Sequence, residues 1–502
     1  MTCSLCVIAT CNRLASKYLT TFRKSIMPPD SSAAEKVHAT TDLAADFARF
    51  ASTIDARQLD DTIIRAVKIN ILDTLSCALA GSSAAAIAEV ADLVKGWAGA
   101  PQADMFVFGG KYPAHAAAWV NGSMAHARDY DDTHDAAILH GGITAVSAAI
   151  AAGQLRGKLS GADLIAAVAA GLEVTCRLGV AIKVDVMESG FNYTSLLGYF
   201  GATAAAGRAL ALSEEEMLNA FGIVYGSVAG NLQITRESSL MKRLLPGLAA
   251  QAAVVAVQLA KRGIRGPHRV FEGDYGLFHV YFHDRADAGI ARSALGSRFE
   301  LLNLSYKPYA CCRNTHSAAD AVLELRAKVH RPASDIKNIR VGVNRPGYEM
   351  VCVPEKVRTA PRNIVEAQFS IPYSVAAAWI DGRLGLEHFT DEGVQRADLL
   401  ALAARVQPYI DADIDREWSR SISPANVTIE FRDGKMLETR VDYPKGHPNN
   451  MMTEAEFAAK TADCAAFAAG SLRPDTAARL TSVVGTLESL PDIAELAQIM
   501  TP

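Results

Sequence analysis

From about Thr41 to Ala260 the chain runs in helical periods, with apolar side chains recurring three and four apart, as at Ile63, Ile64, Val67, Ile71, Leu72 and Leu75 before Gly81. A span this long with few strand signals limits the fold to packed helices. Half of the residues are apolar but only 7% are aromatic, and alanine is abundant. Such composition favours closely packed helices over a sandwich of strands. Capping boxes at Ser160 with Asp163, Ser213 with Glu216 and Thr453 with Glu456 mark helix starts, because these side chains satisfy backbone donors that a first turn leaves free.

The texture changes after about Leu302. Ile336 to Val343 alternates as a strand. Val427, Ile429 and Phe431 alternate up to the hairpin signal Asp433-Gly434, and Met436 to Val441 returns. Asp320 to Lys328 and Ser370 to Ile380 read as helices between them. At 502 residues the chain exceeds one hydrophobic core, so at least two domains are expected. The expected fold is mainly α, with a large all-helical domain over residues 41–302 and 446–502. A smaller α+β lid domain over 303–445 interrupts it, and residues 1–40 are a flexible or targeting extension.

Charge and cysteine content narrow the function classes. A formal net charge of −4 without a long basic run gives no field for nucleic acid. The longest apolar stretch, Gly247 to Ala260, is too short to span a bilayer and carries Gln251 and Gln258, so it reads as a buried core helix and no membrane partner is expected. Among nine cysteines, Cys3 and Cys6 alone form a Cys-x-x-Cys pair, and no iron–sulfur spacing appears. The first 29 residues carry Arg13, Lys17, Arg23 and Lys24 but no acid before Asp30. They read either as a transit segment, which implies mitochondria, or as sequence upstream of a start at Met27, which leaves the protein cytoplasmic.

The most informative stretch runs from Asn121-Gly-Ser-Met-Ala-His126 through Asp129, Asp131, Asp132, Thr133 and Asp135 to His140. A helix over Ala114 to Tyr130 would put His126 and Asp129 on one face. Carboxylate, hydroxyl and imidazole then converge, and a loop histidine such as His140 suits proton abstraction if a carboxylate orients it. Two other readings compete. One is a solvated helix end. The other is a DDxxD magnesium site of the terpene synthase kind, formed by Asp131, Asp132 and Asp135, although no second aspartate-rich motif follows downstream.

Further motifs extend the pattern: Met241-Lys242-Arg243 with Pro246-Gly247 and Ala249-Ala250; Gly266-Pro267 with Glu272-Gly273; Lys307-Pro-Tyr-Ala-Cys-Cys-Arg-Asn-Thr-His316; Glu366-Ala-Gln-Phe-Ser-Ile-Pro-Tyr373; Gly446-His-Pro-Asn449. Together with the Asn121 to His140 segment, this ordered set resembles the MmgE/PrpD family over nearly all of the chain after residue 40. That family includes 2-methylcitrate dehydratase, cis-aconitate decarboxylase and iminodisuccinate epimerase, all without metal or organic cofactor. The resemblance implies a helical domain and an α+β lid with the site between them, and a homodimer. It also implies catalytic roles for Asp129, His140, Lys242 and Lys307, and substrate contacts from Thr133, Asn192, Arg313 and His316.

These residue types suit one chemistry. Cationic side chains neutralise substrate carboxylates and stabilise the charge that develops when an α-proton leaves. His140 would take that proton. A second group, Lys242, Lys307 or His316, would protonate the departing group or the carbon if burial lowers its pKa. One departure stands out. Lyase members carry a Gly-Phe/Trp-His segment whose histidine belongs to the site, whereas this chain reads Gly190-Phe191-Asn192. Asn192 cannot exchange a proton at neutral pH. The expected activity is therefore cofactor-free α-proton chemistry on a small di- or tricarboxylate. Dehydration leads, decarboxylation and epimerisation are close alternatives, and a catalytically silent carboxylate-binding homologue is the reading from another class.

Overall fold

The computed structural model describes residues 42–418, 421–422, 424–470 and 472–502. The expected N-terminal extension, with Cys3, Cys6 and Met27, lies outside them. Helices form where the periodicity predicts: α1 (Asp61–Gly81), α2 (Ala114–His126), α3 (Gly142–Arg156), α4 (Gly161–Ala181), α5 (Tyr193–Ala209) and α6 (Met241–Lys261). α5 packs on α3, α4 and α6, while α2 lies against α1, α3 and α6. Their apolar side chains merge into one core drawn from residues 43–306 and 452–500.

The crossing of α2 and α6 rests on two glycines. A Cβ on Gly122 would lie 3.1 Å from Gly247 Cα, and one on Gly247 would lie 2.3 Å from the backbone oxygen of Trp119. A methyl at either position would push apart the helices that carry His126 and Lys242. α4 and α6 are both long and apolar enough to cross a membrane, but 94% of the α4 window is buried inside the protein. α6 corrects the expectation of a stretch too short to span a bilayer, although one face of it packs in the core as expected. It is 21 residues long, half of its apolar window is buried, and Val255 and Leu259 face outward one turn apart.

A second core gathers residues 310–441, joined by Cys77, Ala80, Tyr130 and Cys464. Its helices α7 (His316–Lys328) and α8 (Ile371–Asp381) pack together against a four-stranded sheet. The strands are β1 (Ile336–Val343), β2 (Val406–Ile410), β3 (Ala425–Phe431) and β4 (Met436–Val441), in the order β2-β1-β3-β4. β3 and β4 form the expected hairpin around Gly434, whose φ of 85° suits glycine. Sequence patterning missed β2, which runs parallel to β1. Pro408 interrupts its signal and is tolerated because the strand lies at the sheet edge. α9 (Glu454–Ala466), opened by the Thr453–Glu456 capping box, returns the chain to α1.

Candidate functional site

α2 ends at His126, four residues before the expected terminus at Tyr130. The chain then turns through Asp129, which adopts a left-handed φ of 53° that aspartate tolerates better than most side chains. A two-residue antiparallel pair, Thr133 with Ser305 and His134 with Leu304, ties this turn to the segment leading into Lys307. The His134 N–H donates to Leu139 O at 2.7 Å, closing the loop that delivers His140. Backbone pairing therefore brings Asp129, Thr133, His140 and Lys307 to one place. The α2–α6 crossing adds His126 and Lys242.

These side chains line a cavity of about 380 Å³. Lys307 Nζ donates to Asp129 Oδ1 at 2.9 Å and to the Asp129 backbone oxygen at 2.8 Å. Lys242 Nζ lies 3.4 Å from the same Oδ1. Burial pushes the Asp129 carboxyl up, but the ammoniums of Lys242 and Lys307 outweigh it and hold the group ionised, well below the usual carboxylate range. The other oxygen, Asp129 Oδ2, is buried without a hydrogen-bond partner. Such an acceptor in a cavity wall suits a ligand hydroxyl or acid proton.

Asp131 stands between two imidazoles. Its carboxylate is 3.1 Å from His126 Nδ1 and 2.8 Å from His140 Nδ1, the latter contact being out of line for a formed hydrogen bond. His126 Nε2 meets Lys242 Nζ at 3.1 Å. This network assigns the tautomer: Nδ1–H donates to Asp131 and Nε2 accepts from the ammonium. Burial, reinforced by Lys242, pushes His126 down to about 4, so it is neutral at pH 7. The two histidines overcome the effect of burial on Asp131 and hold it well below its ordinary value. Among the described residues, His126, Asp131 and His140 form the one set whose ligand atoms fall within 4.8 Å of one another and could hold a metal ion. Their spacing is that of imidazole–carboxylate hydrogen bonding, and the Lys242 ammonium opposes a dication there.

Several expected roles change. Lys307 is buried, yet Asp129 and Asp131 overcome that burial and raise its pKa above the ordinary lysine value. It is a fixed cation at neutral pH, not an acid made available by a lowered pKa. His316 does not line the cavity. It lies behind the wall, with Nε2 3.3 Å from Cys311 O and Nδ1 3.3 Å from Arg313 Nη1. Burial and the neighbouring Arg313 push its imidazole well below the usual range, so it offers no proton. Arg313 reaches the cavity, but its guanidinium faces Asp135 Oδ2 at 3.4 Å and donates to Lys445 O at 2.8 Å. Thr133 is buried in the wall. Asn192 also lines it and caps α5, its Oδ1 accepting from the Ser195 N–H at 3.0 Å. That leaves the carboxamide NH₂ to meet a ligand.

The DDxxD reading finds no geometric support. Asp131 serves the histidines, Asp132 accepts from the Gly141 and Gly142 N–H groups at the start of α3, and Asp135 accepts from Ser305 Oγ at 2.8 Å and faces Arg313. Three carboxylates committed to three different partners do not converge on one ion. Asp132 is pushed up to about 6 by burial and by Asp131 beside it.

Sequence reasoning missed Lys460. Buried on α9, its ammonium donates to Asp73 Oδ1 at 2.6 Å, to Tyr130 O at 2.7 Å and to Lys307 O at 2.9 Å. One cation thus staples the turn after Asp129 to the segment that carries Lys307. The signal was present: Phe457, Lys460, Thr461 and Cys464 follow helical spacing on a buried face, where an unpaired lysine would be costly.

A helical core and an α+β unit thus contribute to a cavity lined by two lysines, two histidines and an ionised aspartate. The MmgE/PrpD N-terminal domain matches residues 45–288, and the MmgE/PrpD C-terminal domain matches residues 309–488. The chain belongs to the MmgE/PrpD family. It is 25% identical over 478 residues to the cis-aconitate decarboxylase-like protein oryM of Aspergillus oryzae, covering 91% of this chain and 97% of that one. It is 26% identical to human cis-aconitate decarboxylase, covering 91% of this chain and 94% of the relative. The mitochondrial 2-methylcitrate dehydratase of Yarrowia lipolytica is 24% identical over 279 residues, covering 54% of this chain and 52% of that protein.

Proposed function

We propose that the chain is a lyase that acts on a small di- or tricarboxylate by α-proton abstraction without metal or organic cofactor. One observation carries this reading: His140, backed by Asp131, and the ammoniums of Lys242 and Lys307 gathered around Asp129 line the same cavity. In this proposal Lys242 and Lys307 bind substrate carboxylates and hold the charge that develops as His140 removes the α-proton. Asp129 holds the two ammoniums in place, and Thr133 and the Asn192 amide orient the substrate hydroxyl. Lys242, between His126 and Asp129, supplies the proton to the departing hydroxide.

Decarboxylation of an unsaturated tricarboxylate is the second reading. It is favoured by the fuller coverage of relatives named cis-aconitate decarboxylase than of the one named 2-methylcitrate dehydratase. Incubation with citrate, 2-methylcitrate, cis-aconitate and iminodisuccinate in deuterated water, followed by NMR, separates the outcomes. Loss of water or of carbon dioxide identifies the lyase reaction. Solvent deuterium at the α-carbon without net conversion indicates epimerisation, and binding without exchange or turnover indicates a silent homologue. Activity lost in EDTA and restored by magnesium sinks the cofactor-free reading. We expect His140→Ala to lower turnover at least about a hundredfold. The reading also assigns a homodimer, to be measured by analytical ultracentrifugation. It assigns the cytoplasm as compartment, against which import of a tagged full chain, but not one starting at Met27, into mitochondria would count.

A further inference from the structure

The polar residues of the cavity stand together, whereas residues 349–369 form a wall of another character. There Met350, Val353, Val357, Val365 and Phe369 line the space. Met350, Val353, Val357 and Val365 are half-buried, so aliphatic surface faces the cavity in the ligand-free chain. Two guanidiniums of this wall have partners within it. Arg358 donates through Nε to Val353 O at 3.1 Å and through Nη2 to Met350 O at 3.0 Å, and Arg362 pairs with Glu366 at 2.8 Å. The backbone of the wall is thereby fixed by guanidinium-to-carbonyl bonds, which hold its aliphatic side chains in place.

Away from this wall the cavity is lined by Lys242, Lys307, Arg236 and Arg313 around Asp129. These cations suit the carboxylates of an acid, and the aliphatic wall is left for an uncharged part of the same ligand. The cavity of about 380 Å³ also falls within the ~300–1,000 Å³ range of pockets that enclose drug-sized ligands. Cys312 joins the two ends, lining the cavity with Sγ 3.9 Å from Met350 Sδ.

We infer that the substrate is a polycarboxylate carrying an unbranched alkyl substituent longer than methyl, its carboxylates on Lys242 and Lys307 and its chain along Met350, Val353, Val357 and Val365. This rests on the proposal that the cavity binds polycarboxylates. Each methylene laid on the wall strengthens binding by about fourfold, the factor that burying one CH₂ provides.

Isothermal titration of the full chain with citrates bearing hydrogen, methyl, propyl or hexyl at C2 reads this without turnover. The dissociation constant is expected to fall by about sixtyfold from hydrogen to propyl. Val357→Asp, at a half-buried position, should collapse that ratio toward unity, and the near-isosteric Val357→Thr should reduce it if the aspartate variant does not fold. A flat or rising dissociation constant with chain length overturns the inference, even if citrate is turned over and the lyase reading stands. Chain-length dependence without turnover of any member keeps the inference and removes the lyase reading.

Discussion

The two walls of the cavity are built on opposite principles. On one, the side chains of His126, Asp129, Asp131, His140, Lys242 and Lys307 form a connected charged array in which every group changes the state of its neighbours. On the other, aliphatic side chains between 350 and 369 stand side by side, and the nearby charges are tied to backbone or to each other. The first wall is cooperative and intolerant, because removing one member leaves another buried charge uncompensated. The second is additive, since each aliphatic group contributes its own area. On the proposed reading, reaction chemistry belongs to the first wall and shape selection to the second.

The sharpest way to break this contrast lies behind the charged wall. Lys460→Met leaves Asp73 buried without its cation and is expected to cost about 3–5 kcal/mol in chemical denaturation; a loss below about 1 kcal/mol would mean the staple is ornamental. Next, Lys307→Met should lower kcat about 10²–10³-fold in whichever reaction the NMR assay identifies, because a charge-stabilising cation is lost. Unchanged kcat with a raised KM would reduce Lys307 to a binding group.

Acid sensitivity sharpens the comparison further. His126 is neutral when folded, with its pKa down at about 4 against 6.5 for the free group. The unfolded chain therefore takes up a proton below 6.5 that the folded chain refuses until about 4, and this contribution is present above 6.5 and lost as pH falls through that window. It amounts to about 3 kcal/mol. Asp132 works the other way, being raised to about 6, so its contribution is present at low pH and lost as pH rises through 6. Because the two contributions oppose each other over nearly the same window, melting temperature between pH 7 and 4 should turn upward toward acid in His126→Gln and fall more steeply toward acid in Asp132→Asn. The smallest effect belongs to the aliphatic wall, where Met350→Leu conserves volume and should change stability by less than about 1.5 kcal/mol.

Much of the fold was legible because helical periodicity and capping residues act locally. Ser160, Ser213 and Thr453 cap helices as their spacing predicts, and β1 and β4 fall where alternation places them. β2 was hidden because an edge strand admits Pro408, which a sequence scan reads as a breaker. In the site, Asp129, Thr133, His140, Lys242 and Lys307 meet in one cavity. The motifs named them, but their roles were not legible. Whether burial or a counter-ion wins at Lys307, and whether Arg313 is free or held by Asp135, depends on contacts between segments far apart in sequence. The competing magnesium reading of Asp131 stayed open for the same reason, since sequence does not reveal that two imidazoles flank it.

The staple on α9 has a genetic consequence. Every residue that lines the cavity precedes position 423, so a nonsense codon at 454 would spare all of them. It would still delete Lys460 and release the Tyr130 and Lys307 carbonyls that this ammonium gathers. Alleles truncated after the last pocket residue should therefore behave as nulls, and a screen for loss of function should recover stop codons in a stretch that never meets the substrate.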